Sequence, residues 1–377
     1  MAGLYFHIPF CLAKCHYCDF FSRPVGSGDV DSYVRQLLLN MELSHFWDVR
    51  EPFETVFFGG GTPSLLPPAA VGQLLKRAEE LFGLTSGAEI SLEANPGTVN
   101  AGTLEGYRSA GVNRLSFGVQ SLSAKALQRL GRIHSPLQAQ QCVQQARLAG
   151  FDNIAVDLMF GLPGQTLTDL QDDLNALLNL EPQHISCYGL TVEEDTPLFE
   201  QQQHGKLADL PGEELAADMY LAVHAALERV GFEHYEISNY CRPDRACRHN
   251  LGYWRRQPCL GIGAGAHSFV ARHWGERWAI APDLQRLAQG LNEGRDVAEC
   301  LERFDRQGAM AETLYLGLRT REGVSDIAFR ERFGCGVAEV FPEAIRQWGE
   351  RLILQHGVWR CNVSGWLLFD HLISAFL

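Results

Sequence analysis

Nowhere in these 377 residues is there a long apolar run; no stretch approaches the ~18 uninterrupted apolar residues of a membrane span. A basic n-region and an apolar h-region are missing too. The chain opens Met-Ala-Gly-Leu-Tyr-Phe and goes straight into a strand pattern, so the expectation is a cytoplasmic protein that does not span a membrane. Positive charge is scarce: the formal net charge is −13, which argues against a nucleic-acid surface but leaves room for a local pocket for a small anion. No low-complexity tract occurs, and no internal repeat beyond an alternation of strand and helix patterns. With 46% hydrophobic residues the chain can bury a substantial core, which excludes disorder. Its 11 cysteines have no secretory context and read as reduced thiols.

Three of those cysteines carry most of the information. Cys11, Cys15 and Cys18 stand in the run Cys-Leu-Ala-Lys-Cys-His-Tyr-Cys. The spacing C-x3-C-x2-C puts three thiolates on one short loop, and thiolates are the usual ligands of iron–sulfur clusters. A four-iron cluster needs four ligands, so three leave one iron open for chemistry, by analogy with catalytic zinc sites. The competing reading is three legs of a zinc site completed by His7, His16 or a distant cysteine. The loop follows a strand and ends in the aromatic Cys-Asp-Phe-Phe. In this it resembles the radical S-adenosylmethionine (radical SAM) superfamily. That resemblance implies a 4Fe–4S cluster, an electron donor to it, and S-adenosylmethionine on the open iron, cleaved to a 5′-deoxyadenosyl radical.

Strand patterns at 2–8, 55–58, 88–94, 113–120, 154–159 and 184–190 alternate with helical ones at 29–48, 67–82, 101–110, 123–130, 136–149 and 166–179. Short βα spacing of this kind builds a parallel sheet with right-handed connections. A closed eight-fold barrel typically takes ~250 residues; six units in the first 190 predict a partial, open barrel. The fold class expected is therefore α/β: a partial (β/α)6 TIM-like barrel. A helix at 213–230 and a strand at 234–237 follow, then an irregular aromatic and Gly-rich stretch to about 275. Helices are expected at 308–318, 324–333 and 337–355, with a hairpin of Val358–Cys361 and Gly365–Phe369. This is a small helical, winged-helix-like cap for packing or partner binding. The domain expectation is 1–300, with a barrel core at 1–190 and an extension at 191–300, followed by a C-terminal domain at 301–377.

Ligands of parallel βα folds bind at the C-terminal ends of the strands. There lie Gly59-Gly60-Gly61-Thr62-Pro63, whose glycines let backbone approach a ligand. Glu93 and Gln120 end the next two strands, Asp157 sits near the end of the one after, and Arg132, in Leu130-Gly-Arg-Ile-His134, follows the helix after the fourth strand. Each alone could be a satisfied polar residue. Together they suit a zwitterionic nucleoside: carboxylates for ribose and ammonium, a guanidinium for carboxylate.

In order along the chain, Tyr5 before His7-Ile8-Pro9-Phe10-Cys11, Gly-Gly-Gly-Thr-Pro, Glu93-Ala-Asn-Pro-Gly97, Gly118-Val-Gln-Ser121, Leu130-Gly-Arg-Ile-His134 and Asp157-Leu-Met-Phe-Gly-Leu-Pro-Gly-Gln165 resemble the oxygen-independent coproporphyrinogen III oxidase (HemN) group. The resemblance covers essentially the whole chain. It implies S-adenosylmethionine contacts at Tyr5, Gly60, Gly61, Thr62, Glu93, Gln120, Arg132 and Asp157. That group divides into oxidases of porphyrin biosynthesis and a branch of heme chaperones. The oxidases carry a further cysteine two positions after the triplet, where this chain has Phe20, and an N-terminal extension for which a cluster at residue 11 leaves no room. His249-Asn-Leu-Gly-Tyr253-Trp254 is similar to the H-N-x-x-Y-W motif of the chaperone branch.

That motif implies heme bound by His249, Tyr253 and Trp254, with Cys241, Cys247 and His267 as alternative ligands. The bland reading is that His249 and Asn250 pin a loop to the barrel with both aromatics in the core. Gly261-Ile-Gly-Ala-Gly265 lacks the G-x-G-x-x-G spacing and reads as close backbone packing. The resemblance thus implies a heme chaperone handing heme to an acceptor such as a membrane respiratory enzyme, without coproporphyrinogen III dehydrogenase turnover. Its rivals are radical decarboxylation of two propionates to vinyl groups, and a structural cluster protein.

Overall fold

A computed structural model describes residues Ala2–Phe376. Six parallel strands form its centre: β1 (Gly3–Ile8), β2 (Phe53–Gly60), β3 (Leu84–Ala94), β4 (Arg114–Gln120), β5 (Ile154–Phe160) and β6 (His184–Gly189). Six helices follow the pattern read from the sequence: α1 (Asp29–Leu43), α2 (Pro68–Phe82), α3 (Ala101–Ala110), α4 (Ala124–Arg129), α5 (Pro136–Leu148) and α6 (Leu167–Leu178). Their starts are chemically marked. Ser135 and Gln138 close a capping box around Pro136, and Thr166 and Asp169 close another. The partial (β/α)6 barrel is therefore present.

Period-two alternation divides these strands into two faces. On β1, Leu4, Phe6 and Ile8 are fully buried in the apolar core beneath the helices, with Phe6 stacked on Phe58. The other face is polar and lines the barrel. Register ranks its residues in layers: Gly3 beside Thr55 and Thr55 beside Glu89, then Tyr5 beside Phe57 and Phe57 beside Ser91, then His7 beside Gly59. Further round, Glu93 pairs with Ser116, Gly118 with Asp157, and Met159 with Tyr188.

The sheet runs beyond the barrel on both sides. β7 (Glu233–Glu236) and β8 (Asn239–Cys241) add antiparallel strands to β6. On the other edge β9 (Cys259–Ile262) joins β1 in parallel, and β10 (His267–Val270), β11 (Glu276–Ile280) and β12 (Ala298–Arg303) continue antiparallel. Twelve strands result, in the order β12-β11-β10-β9-β1-β2-β3-β4-β5-β6-β8-β7. The stretch read as irregular to about 275 is thus largely sheet, with a helix at Arg248–Trp254. The glycines of 261–265 do pack closely. Gly263 sits at φ 101°, where a Cβ would collide with the Tyr33 hydroxyl.

In the C-terminal part a three-stranded antiparallel sheet of β13 (Val324–Ser325), β14 (Leu352–Gln355) and β15 (Val358–Cys361) packs with short helices. Two expectations are corrected. The single helix at 337–355 is broken at Pro342 and Gly349 into Val337–Val340 and Pro342–Trp348, ending in β14. The hairpin is β14–β15, turned by His356 and Gly357 at φ 51° and 76°, as a two-residue turn demands. Gly365–Phe369 is helical instead, with Trp366 Nε1 donating to the Leu318 carbonyl at 2.9 Å. No helix among the described residues is long and apolar enough to cross a membrane.

Candidate functional site

The loop Cys11–Cys18 leaves β1 at the C-terminal mouth of the barrel and is docked at its middle. The His16 amide donates to the Leu130 carbonyl at 3.0 Å, and its Nδ1 donates to the Arg129 carbonyl at 3.0 Å. Gly131 makes the docking possible: at φ 71°, a Cβ there would lie 2.7 Å from the His16 ring. All three thiols line one cavity of about 270 Å³ at the barrel mouth. A hydrogen-bonded bracelet ties two of them to the strand ends. Arg132 Nη1 donates to Cys15 Sγ at 3.3 Å, and Nη2 donates to Asn95 Oδ1. Asn95 Nδ2 donates to Thr62 Oγ1 at 2.8 Å, and that hydroxyl points at Cys11 Sγ at 3.5 Å.

Gly60, Gly61 and Thr62 form the cavity wall beside Cys11. A Cβ on Gly61 would lie 2.7 Å from the Phe10 carbonyl and 3.1 Å from Cys11 Sγ, so only bare backbone fits there. Glu93, Gln120, Arg132 and Asp157 face the same space. Gln120 gets there through a register shift between Gly118 and Gln120 and a left-handed φ of 69°. This is a bulge that turns its side chain toward the cavity, where Tyr188 Oη donates to its Oε1 at 3.3 Å. Burial and then the neighbouring Asp157 raise the Glu93 carboxyl to about 8. Burial likewise raises Asp157, against hydrogen bonds from Ser186 and Ser116 and the charge of Arg114. Two adjoining desolvated carboxyls favour a cationic ligand.

Seven of the eight expected S-adenosylmethionine contacts therefore meet the thiols around one cavity. Tyr5 does not line it. The residue lies one layer deeper, its hydroxyl donating to His7 Nδ1 at 3.1 Å and its ring against Phe57 and His249. Asn95, Ser116, Met159 and Tyr188 line the cavity and were not singled out. Inward alternation along β4, β5 and β6 is the signal that could have found Ser116, Met159 and Tyr188.

The donor set suits a thiolate-bound cluster better than one zinc ion. His7 has both ring nitrogens engaged, by Tyr5 and by the Phe21 carbonyl, and His16 is turned to Arg129. Burial, and after it the nearby Cys15 and Cys11, push the Cys18 thiol up to about 11.

The heme expectation meets a different geometry. His249 is buried in the floor of the barrel, its ring flanked by Tyr5 and Phe57. Its Nδ1 bonds Thr55 Oγ1 at 2.8 Å and its Nε2 bonds Tyr253 Oη at 3.0 Å, so neither nitrogen is free for iron. Burial and the Arg114 charge lower its pKa to about 3. The hollow beside it, about 10 Å³, is no larger than a water site. In this structure His249 is thus a core residue, and Tyr253 stands half-buried beside it. Their helix is anchored at its start by Glu89 of β3, whose carboxylate accepts from the amides of Arg248 and His249, each at 3.2 Å. Cys241 and Cys247 are buried as well, whereas Trp254 at the far end of the helix is partly open.

A parallel half-barrel with three thiols and a glycine cradle at its mouth is the architecture of a radical SAM protein. The radical SAM superfamily matches residues 5–177, and the HemN C-terminal domain matches residues 304–368. The chain is 42% identical to the heme chaperone HemW of Escherichia coli, covering 100% of this chain and 98% of that one. It is 34% identical to HemW of Bacillus subtilis, covering 100% and 99%. It is also 36% identical to the mitochondrial radical S-adenosyl methionine domain-containing protein 1 of Danio rerio, over 100% of this chain and 87% of that one. The solved HemN coproporphyrinogen III oxidase of Escherichia coli has the same fold, with a TM-score of 0.86 at 22% identity, over 100% of this chain and 89% of that one. The chain belongs to the HemW family of radical SAM proteins.

Proposed function

We propose that this chain is a cytoplasmic heme chaperone. It holds a 4Fe–4S cluster on Cys11, Cys15 and Cys18, binds S-adenosylmethionine in the adjoining cavity, and takes up heme for delivery to an acceptor protein. The observation that carries the reading is end-to-end similarity to HemW chaperones at 34–42% identity. The exposed Phe20 at the cavity mouth, where the oxidases are expected to add a cysteine, agrees with it.

The residues divide the work by chemistry. The three thiols hold the cluster, which when bound supplies an electron toward the sulfonium. Arg132 keeps Cys15 in place and offers a guanidinium to a carboxylate. Glu93 and Asp157 accept hydrogen bonds from hydroxyl or ammonium groups, and the cationic ligand draws the Glu93 proton off its raised pKa. Bare backbone at Gly60 and Gly61 admits the ligand. An electron donor for the cluster and a heme acceptor, such as a membrane respiratory enzyme, are the partners this function requires.

The test is anaerobic. The reconstituted full-length protein is given S-adenosylmethionine, a strong reductant and coproporphyrinogen III, while heme is titrated into a parallel sample. Saturable heme uptake with no vinyl-bearing product is expected. Vinyl-bearing porphyrin would make the chain an oxidase and overturn the proposal.

A further inference from the structure

Arg114 of β4 is a buried cation that no contact accounts for. It stands beside Ser91 of β3. Two positions to either side of Ser91, on the same face, are Glu89 in the barrel floor and Glu93 in the cofactor cavity. Two positions on along β4, Ser116 reaches the cavity and donates to Asp157 Oδ1 at 3.3 Å. Arg114 thus lies one layer beneath the two cavity carboxyls and one layer above Glu89. It is 2% exposed, yet it makes no ion pair among the described residues. Its one hydrogen bond among them, from Nη1 to Ser91 Oγ, is long at 3.5 Å, and its Nε has no partner.

A buried guanidinium without a contacting anion is costly, so this one is held by the field of the carboxylates around it. That field has few members. Facing Glu93 and Asp157 are Tyr5, Tyr17, Tyr188 and Arg132. Facing Arg114, besides Glu89, are His184, Tyr235, Cys241, Cys247 and His249. Burial raises each of these tyrosines and pushes both thiols up to about 12. Burial, and after it Arg114 itself, lowers both histidines. All of them are therefore neutral near pH 7. The charges that bear on the carboxyl pair are those of Arg114 and Glu89 beneath it and Arg132 at the mouth.

We infer that Arg114 is a positioning residue for charge: from beneath the cavity it lets the Glu93–Asp157 pair stay negative, and by that charge the site tells a sulfonium from its neutral thioether. The inference rests on the reading of this cavity as the S-adenosylmethionine site. Without the guanidinium, two adjoining desolvated carboxyls would both keep their protons and present no charge to a cation. Glu89 opposes Arg114 from the floor side. The same carboxylate accepts from the first amides of the Arg248–Trp254 helix, so Glu89 and Arg114 form an electrostatic link between that helix and the cofactor cavity.

The test measures binding of S-adenosylmethionine, and of S-adenosylhomocysteine, which lacks the sulfonium charge, to the cluster-reconstituted full-length protein between pH 6 and 9. The ammonium groups of the ligands titrate alike with every variant. In wild type the preference for S-adenosylmethionine should grow as Glu93 ionises, through about pH 8. Arg114→Met should move that rise up by about one pH unit or more. Arg114→Lys should leave it in place. Glu89→Gln removes the opposing charge, keeps one of the two oxygens that the helix amides use, and should move the rise down. Lost packing alone would weaken both ligands without moving the midpoint. An unmoved midpoint in Arg114→Met or in Glu89→Gln overturns the inference and leaves the cofactor reading intact. If Arg114→Met does not fold, Glu89→Gln decides by itself. Absence of S-adenosylmethionine binding by wild type overturns both.

Discussion

Replacing His249 by alanine isolates the question of whether this histidine serves the fold or the ligand. The imidazole fills the barrel floor between Tyr5 and Phe57 and bonds two hydroxyls, those of Thr55 and Tyr253. Removing it leaves a cavity and two buried hydroxyls short of a partner. The expected loss for the apo protein at pH 7.5 is on the order of 3–5 kcal/mol. The size of that loss should depend on pH in a definite direction. The folded pKa of His249 is lowered to about 3 from an ordinary value of 6.5. Below pH 6.5 the unfolded chain takes up a proton that the folded chain refuses, so this residue's contribution declines as pH falls through the window from 6.5 to about 3. At pH 5.5 the decline amounts to about 1.4 kcal/mol. Alanine does not titrate, so the gap between wild type and His249→Ala should narrow by that amount between pH 7.5 and 5.5. Urea denaturation at the two pH values measures it, and comparing variants cancels the buried carboxyls common to both. A gap under about 1 kcal/mol at pH 7.5, or one that does not change with pH, would refute the reasoning.

Cys15→Ala removes a half-buried thiol that accepts a hydrogen bond from Arg132. The iron and sulfide content after reconstitution should collapse while stability changes by less than about 1 kcal/mol; a full complement of both would remove Cys15 as a ligand. Gly60→Ala puts a Cβ 2.7 Å from a His7 ring held by two hydrogen bonds, at a φ of 111°. It should cost about 1–3 kcal/mol and weaken S-adenosylmethionine binding. Gly87→Ala, in the same sheet with open space around it, should change neither. Equal melting temperatures for the two alanine variants would show that the Gly60 cradle is not under this constraint.

The barrel and the cofactor cavity were legible because their signals are local. Most of the cavity residues sit on or just after the barrel strands, within short local motifs. Depth was not legible. Tyr5 points into the barrel by alternation, but its place below the cavity is fixed by its register with Phe57, a contact 52 positions away. The Arg248–Trp254 helix was missed for a related reason: its glycine and aromatics are poor helix formers, and its first amides are satisfied by Glu89 on a distant strand. The short strands β9–β12 are broken by glycine-rich turns and gain their identity only by adding to an edge already formed. In the C-terminal part His356-Gly357 is a hairpin signal that reading 337–355 as one helix overlooked.

The pairing of β1 with β9 also sets an order in time. The strand that launches the cysteine loop is made well ahead of the neighbour on its second side, which begins at Cys259. At ~5–20 residues per second, ribosomal synthesis leaves that edge of β1 bare for roughly 10–50 seconds. Bare edges of apolar parallel strands template wrong pairings. The nascent chain therefore has to shield the backbone amides and carbonyls of Gly3 to Phe6 that later pair with β9, while the other side of the future cofactor mouth is still unmade. The three thiols share that interval, and a cluster inserted before β9 arrives would meet a barrel open on the side of β1.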